Sequence, residues 1–436
     1  MKTTTGQIKG QLLSIIREMS CNPSLFAQNS TKDFRRKRKL DFETLLLLLL
    51  SIGKGSLQAE LLEYTGYSAS TATASAFVQQ RAKLLPFALE YILHQFTLPA
   101  AETKRFEGYR LLATDGSDLL ALANPSVPEN FFQSNPGSKG YNLLHLNALY
   151  DLCNGLYTDA LLQNGRGVNE HQALTAMVDR SSIVDPAIVL ADRGYESYNN
   201  LAHIERKGWK YLFRVKDISG NGILSSLSLP DSPEFDVDIH RILTRKQTNA
   251  VKQHPLLYRF LPTSSTFDFL DLHENPFYPI SFRVVRFKIT IDTYEAIIIN
   301  LDRDAFPSGK LKQLYNLRCG IETAFRSLKY TVGLLTFHSK KAAFITQEVF
   351  AALVMYNFCQ MIASLAVIGK KDTRYSYQIN FSLAVRICMA FFRSRDPTPP
   401  DVEALLLAHL LPARPGHNFP RDKRSSQSIG FNYRIA

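Results

Sequence analysis

From about residue 106 the apolar residues stop recurring at helical spacing and gather into short runs, and this switch is what most restricts the fold. "GYRLLATDGSDL" carries an apolar run up to Asp115 and Gly116 and reads as a strand followed by a turn. "LLHLNALYDLCNGLYTDALLQ" holds two further runs joined at Asn154-Gly155, a residue pair that tolerates the positive φ of a tight hairpin turn. "NEHQALTAMVDRS" has the spacing of a short helix, and "AIVLADRGYESYNNLAHIERKGWKYLFRV" reads as strand, turn, helix and strand. Three early strands followed by helix–strand alternation predict an α/β domain on a mixed sheet with one hairpin.

The flanks differ. Residues 1–105 have helical character. "TKDFRRKRKLDFETLLLLLL" places a basic cluster, Arg35 to Lys39, before an apolar helix. Its "LLLLLLSIG" is far too short to span a bilayer and predicts a buried core helix. In "LQAELLEYTGYSASTATASAFVQQRAKL" one helix ends near Gly66, a Ser/Thr stretch can cap the next, and that next helix carries Gln79, Gln80, Arg81 and Lys83. The pair is compatible with a DNA-binding helix-turn-helix. Residues 217–305 turn β-rich again ("EFDVDIHRIL", "PISFRVVRFKIT", "YEAIIINL") and read as a β insertion. Residues 341–436 return to apolar helices and end in a basic tail. The expected organisation is a helical DNA-binding domain at 1–105, a catalytic α/β domain at 106–340 and a helical C-terminal region at 341–436.

A chain of 436 residues with a net charge of +12 favours a polyanionic partner such as nucleic acid. The five cysteines (Cys21, Cys153, Cys319, Cys359 and Cys388) are odd in number and form no CxxC or Cys/His cluster. That argues against a disulfide framework or a zinc site and for a reducing compartment. The start lacks the apolar run and small-residue cleavage site of a signal peptide, so a cytoplasmic, nucleoid-associated protein without a membrane role is expected.

"YNLRCGIETAFRSLKY", Tyr315 to Tyr330, reads as one amphipathic helix. At ~100° per residue Tyr315, Arg318, Glu322 and Lys329 fall within about 60° of one another, and Arg326 joins them. Leu314, Leu317, Ile321 and Leu328 form the apolar face. A surface helix laced by i,i+4 ion pairs would explain the stripe on its own. Two aspartates elsewhere suggest more: Asp115 and Asp192 each close an apolar strand, where side chains of α/β proteins point into sites. Asp118 and Asp151 compete with Asp115. Three hard carboxylates without soft ligands suit Mg²⁺ or Mn²⁺. A pair of such ions activates a hydroxyl and stabilises a leaving oxygen at phosphorus. Cations on the same helix face would hold phosphates beside them.

These segments together resemble the insertion-sequence transposases of the IS-four type, DDE enzymes on a ribonuclease H-like fold. "YNLRCGIETAFRSLK" matches the family's Tyr-(2)-Arg-(3)-Glu-(6)-Lys signature, "LLATDGSDL" resembles its first Asp region and "IVLADRGYESYNNL" its second. The resemblance implies Asp115, Asp192 and Glu322 as catalytic metal ligands, for two ions, with Tyr315, Arg318 and Lys329 as contacts to the DNA backbone; Arg326 and Arg193 are added as basic neighbours. It further implies bacterial origin, terminal inverted repeats and target DNA as partners, a homodimer on paired ends, and cleavage followed by strand transfer. A DNA-binding protein that has lost catalysis is the alternative. Cys319 stands where many relatives carry an aromatic residue, and a small buried apolar role is expected for it. Trp209, the sole tryptophan, precedes the β insertion, leaving Phe306 or Tyr294 as candidates to stack a flipped base. His171 lies near the second Asp region and reads as structural.

Overall fold

The computed structural model describes residues 3–36, 38–97, 104–133, 135, 137–368, 376–396 and 400–413; the basic tail lies outside them. In chain order the helices are α1 (Thr5–Cys21), α2 (Phe42–Ser51), α3 (Leu57–Tyr64), α4 (Ala74–Arg81), α5 (Phe87–Thr97), α6 (Glu170–Arg180), α7 (Tyr198–Arg206), α8 (Asn249–Gln253), α9 (Ser308–Asn316), α10 (Cys319–Ser327), α11 (Ala342–Leu365), α12 (Phe381–Arg393) and α13 (Val402–Ala408). The central strands are β1 (Arg110–Ala121), β2 (Phe131–Phe132), β3 (Tyr141–Asp151), β4 (Leu156–Asn164), β5 (Ala187–Ala191), β6 (Lys210–Val215), β7 (Phe235–Thr244), β8 (Tyr258–Phe260), β9 (Phe277–Thr290) and β10 (Thr293–Ile299).

All ten belong to one mixed sheet in the order β2-β3-β1-β5-β6-β10-β9-β7-β8, with β4 also paired to β3. The expected hairpin is β3–β4, antiparallel, turning at Gly155 with φ +71°. β1 runs antiparallel to β3 and parallel to β5, and β5 runs parallel to β6. The β-rich segment after residue 217 extends this sheet: β10 pairs with β6, and β9 and β7 continue it outward. Main-chain pairing between distant segments leaves no local trace in a sequence. The turn expected after Asp115 is absent. β1 continues to Ala121, with Asp115 opposite Ala148 and Gly116 opposite Asn147 on β3.

Alternation along the strands sorts residues to two faces. Leu112 of β1 and Val189 of β5 pack with α6 and α7 through Leu174, Met177, Leu201 and Ile204. Leu111 of β1 and Leu190 of β5 pack with Leu311, Leu314 and Tyr315 of α9. Ala113 shares that second face, in an apolar cluster with Ile321 and Phe325 of α10 and the buried side of α11. By the same parity Asp115 and Asp192 face α9 and α10, and Gly116 faces α6.

The same cluster runs on through α1, α2 and α5 and through α12 and α13, so the helices before residue 105 and after 341 share one core around α11. α2 is the buried leucine helix expected, capped by Asp41, whose carboxylate accepts from the Thr44 amide at 2.8 Å. α11 is long and apolar enough to cross a membrane, but 67% of that stretch is buried inside the protein.

Candidate active site

The parallel ladder between β1 and β5 ends at Ala113 and Leu190, and Asp115 and Asp192 each follow two residues later. The two carboxylates therefore emerge side by side where β5 stops and β1 continues. At Asp192 the chain enters a short turn, and the Asp192 carboxylate caps it by accepting from the Arg193 amide at 2.6 Å. Asp115 accepts from the Gly116 amide at 2.9 Å.

The signature segment approaches from the face of Asp115, and it is not one uniform helix. α9 ends at Asn316, and the next turn tightens: Arg318 N–H donates to Tyr315 O and Ile321 N–H to Arg318 O, three residues back rather than four. α10 follows, and Leu328–Val332 then opens into a π-helical turn. The changes in pitch rotate the stripe. Leu317, expected on the apolar face, is 46% exposed. Cys319, expected to be buried, is exposed. Arg326 also points to solvent, with Thr323 Oγ1 at 3.5 Å as its neighbour.

Arg318 is drawn inward. It is 7% exposed and stands among the three carboxylates. Its Nη2 donates to Glu322 Oε1 at 2.7 Å, and its Nη1 lies 3.5 Å from Asp115 Oδ2, an ion-pair distance too long for a good hydrogen bond. Its charge also reaches Asp192. Burial pushes the Asp115 carboxyl up; the Gly116 amide and Arg318 oppose this, Glu322 and Glu170 add to it, and the net shift is upward. Burial also acts on Asp192, but the Arg193 amide together with Arg214 and Arg318 outweigh it and hold that carboxyl below its ordinary value.

Four participants were not foreseen. Arg214 on β6 donates from Nε to Asp192 Oδ1 at 2.9 Å and pairs through Nη1 with Glu295 at 3.0 Å. Its guanidinium carbon lies 5.8 Å from the Tyr315 ring centre, with Arg318 at 6.0 Å. Tyr315 is itself buried, its hydroxyl unpartnered, its pKa pushed up to about 12 by burial and then by Asp192. On the α6 face His145 bridges Asp118 at 2.7 Å and Glu170 at 3.0 Å. Burial lowers its pKa, but those two carboxylates outweigh burial and the net shift is upward. A Cβ on Gly116 would lie 2.2 Å from His145 Nε2 and 2.4 Å from Glu170 Oε1, so glycine is what admits this pair beside Asp115. Lys329 is half-buried and donates to the Asp118 carbonyl at 2.6 Å. Arg193 is exposed beside Asp192.

Other candidates lie elsewhere. Asp151 is 1% exposed and holds the turn after β3, accepting from the Cys153 and Asn154 amides and pairing with Arg110. Phe306 is buried among core residues and Trp209 is buried at the start of β6, while Tyr294 is half-buried under Arg286. His171 is hydrogen-bonded to Asn200 at 2.9 Å. Gln80 and Arg81 of α4 face inward: Arg81 is fully buried and bonds Gln347, Glu348 and the Phe344 carbonyl of α11. Arg81 thus ties α4 to the core helix.

The donor set at the sheet end fits a divalent cation. It offers three hard carboxylates against the two guanidiniums that touch them, although their oxygens do not all lie within 4.8 Å of one another and Arg318 now stands between Asp115 and Glu322. A second cluster, Glu90, His94 and Asp159, brings its ligand atoms within 4.8 Å of one another. It already holds its cation: Arg180 pairs with Glu90 at 2.9 Å and with Asp159 at 2.6 Å.

A solved structure of similar shape is the cryo-EM structure of a piggyBac transposase synaptic complex with hairpin DNA, with 12% sequence identity, 97% of this chain and 88% of that chain covered, and a TM-score of 0.44. No curated protein matches the sequence. The family model described as "Transposase DDE domain" matches residues 106–358, well over half of the chain and all of the sheet and signature helices. The chain therefore belongs to the DDE transposase family and is a DNA-cleaving transposase enzyme.

Proposed function

We propose that this is an insertion-sequence transposase of the IS-four type, acting in a bacterial cytoplasm as a homodimer on paired element ends, and that Asp115, Asp192 and Glu322 hold the divalent ions with which it cuts and joins DNA. The observation that carries the site assignment is the guanidinium of Arg318 standing against Asp115 and Glu322 with Asp192 in its field. It gathers one acid from each of three distant segments at one end of the sheet. A ribonuclease H-like core is supported by the run β4-β3-β1-β5-β6, antiparallel in its first three strands and parallel in its last.

Bound Mg²⁺ or Mn²⁺ would supply Lewis-acid activation of the attacking hydroxyl and charge stabilisation at the leaving oxygen. The chain's own residues prepare for that. Arg214 and the Arg193 amide keep Asp192 ionised and oriented. Arg318 restrains Asp115 and Glu322 until charge at the site is redistributed. Tyr315 spaces Arg214 from Arg318. Arg193 and Arg326, both exposed, and Lys329 would meet backbone phosphates. Inverted repeats would be read by the helical N-terminal region, where Lys32, Arg35, Arg36, Arg38 and Lys83 line a basic hollow.

The test is cleavage of a labelled duplex carrying the element's own end, with Mg²⁺ or Mn²⁺, by the native chain and by Glu322→Gln. Metal-dependent nicking and joining that vanish in the variant, with DNA binding retained, are expected. Equal cleavage by both overturns the Glu322 assignment, and binding without cleavage by either points to a DNA-binding protein that has lost catalysis.

A further inference from the structure

Beside Asp192 a cleft of about 970 Å³ separates the turn after β5 from the outer strands of the sheet. Arg193, Tyr198 and Lys216 line one side, and Arg259 of β8 with Ser265 lines the other. Behind Arg259 lies Arg241 of β7, only 5% exposed. Its Nη1 and Nη2 donate to the carbonyls of Leu256 and Tyr258, and no carboxylate partners it. The Nε atoms of Arg241 and Arg259 are buried without a hydrogen-bond partner among the described residues, and the Tyr198 hydroxyl is buried with only Ser226 beside it. Burial lowers the pKa of Arg241; the field of Tyr198 opposes that shift and the field of Arg259 adds to it. Two carboxylates also line the cleft, and both are engaged. Glu196 accepts from the Lys216 and Ile223 amides, and Asp192 accepts from the Arg193 amide and Arg214.

Two neighbouring guanidiniums, one nearly fully buried, are costly to desolvate without a counter-charge. Elsewhere in the outer strands buried arginines have acids: Arg283 pairs with Asp236, and Arg286 with Asp217. The Arg241–Arg259 pair lacks one among the described residues, and Arg259 opens on a cleft that leads to Asp192.

We propose that Arg259, Arg241 and the Tyr198 hydroxyl form a phosphate site that takes a backbone phosphodiester of the DNA strand entering or leaving the carboxylates. A phosphodiester supplies one negative charge and acceptor oxygens for the two unpartnered Nε donors and the Tyr198 hydroxyl, a match that guanidinium forks make well. The inference rests on the DNA-cleaving reading for its ligand but not on metal chemistry, so it is tested without metal.

The experiment uses the full chain in metal-free, low-salt buffer, as Glu322→Gln so that cleavage plays no part, with and without the further change Arg259→Gln. Inorganic phosphate is one probe, and a generic duplex of about 20 base pairs is the other. Without phosphate, Arg259→Gln is expected to melt at the same temperature or higher, because it removes a repulsion. Phosphate should raise the melting temperature of the parent and leave that of Arg259→Gln unchanged. Duplex affinity should fall about tenfold, and the slope of its salt dependence by about one. A lower melting temperature in Arg259→Gln with the phosphate response intact overturns the proposal, showing Arg259 to be structural. A lost phosphate response with duplex binding unchanged also overturns it, leaving a small-anion site. Arg241→Met, which keeps the buried volume, is expected to reproduce the Arg259→Gln pattern; if it binds phosphate and duplex like the parent, Arg241 has no part in the site. Because binding is read in a chain that cannot cut, loss of cleavage would bear on the carboxylates alone.

Discussion

Two acid clusters in this molecule use the same residue types to different ends. At Glu90, His94 and Asp159 the acids join α5 to β4, and Arg180 of α6 pairs with both of them. Asp159 is almost fully buried, and its oxygens accept from Arg180 at 2.6 and 2.8 Å and from the Ala160 amide at 2.7 Å. At the end of the sheet Asp115, Asp192 and Glu322 are more open to solvent and outnumber the guanidiniums Arg318 and Arg214 that touch them. Around them Arg318 Nε and Tyr315 Oη have no hydrogen-bond partner among the described residues. The first cluster is closed and works as a clamp. The second keeps solvent access and unpartnered donors, which suits the metal and DNA binding proposed for it. Each cluster carries one carboxylate more than its guanidiniums, so what separates them is exposure: Asp159 is almost fully buried, while Asp115, Asp192 and Glu322 all reach solvent.

The largest separation between the clusters should appear in catalysis. Glu322→Gln is expected to lower metal-dependent cleavage on the order of 10³-fold, the size of losing a transition-state charge contact, while the unfolding midpoint stays near that of the native chain. Arg180→Met should do the reverse. It leaves Asp159 buried without its bidentate partner, an arrangement that costs about 3 kcal/mol because an uncompensated charge remains inside. Denaturant unfolding measures that loss, and cleavage below the new midpoint should persist. A stable Arg180→Met chain would break the comparison.

Metal titration should sharpen it. Mn²⁺ at about 100 times its dissociation constant is expected to stabilise the native chain by ~2.7 kcal/mol, visible as a raised melting temperature. Glu322→Gln should lose most of that rise, and Glu90→Gln should keep it. The opposite pattern would move the metal to the Arg180 cluster.

What the sequence conveyed follows the range of the forces involved. The place of Asp192 at a strand end was legible because β5 is a buried five-residue run that must stop somewhere, and a carboxylate with Gly194 two residues on marks the stop. The hairpin was legible from Asn154-Gly155. Asp115 is proposed on a reading that is partly mistaken: Asp-Gly suggests a turn, whereas Gly116 sits inside β1 and is small because His145 and Glu170 crowd it. His145, Glu170 and Arg214 were missed because their partners lie far along the chain, Arg214 reaching 22 residues back to Asp192 and 81 forward to Glu295. The stripe on the signature helix was drawn with one constant pitch. The tightened turn at Arg318 and the π-helical turn at Leu328 change that pitch twice, which exposes Leu317 and turns Arg318 inward. Arg81 shows the same limit at domain scale: an arginine on a short helix after a turn suggested base reading, and its bonds to Gln347 and Glu348, 266 and 267 residues away, place it in the core.

The smallest effect tests how firmly the open cluster is held. Burial raises the folded-state pKa of Asp115 above 3.8, so the native chain binds its proton more tightly than the unfolded chain does. By linkage, ionised Asp115 then weakens the fold at any pH above both values, and that cost fades as pH falls through the raised folded-state pKa and is gone below the unfolded value. Asp192 has the opposite sign: its pKa is held below 3.8, so it supports the fold above its unfolded value and withdraws that support as pH falls through its lowered folded-state pKa. Asp115→Asn should therefore melt slightly higher than the native chain at pH 7, with the gap closing as pH falls toward 4. Asp192→Asn should melt lower at pH 7, with its gap closing only at more acid pH. Melting curves without metal from pH 3 to 8 read both signs. Should Asp115→Asn melt lower at pH 7, Asp115 is held by Arg318 as firmly as Asp159 is by Arg180, and the two clusters are alike after all.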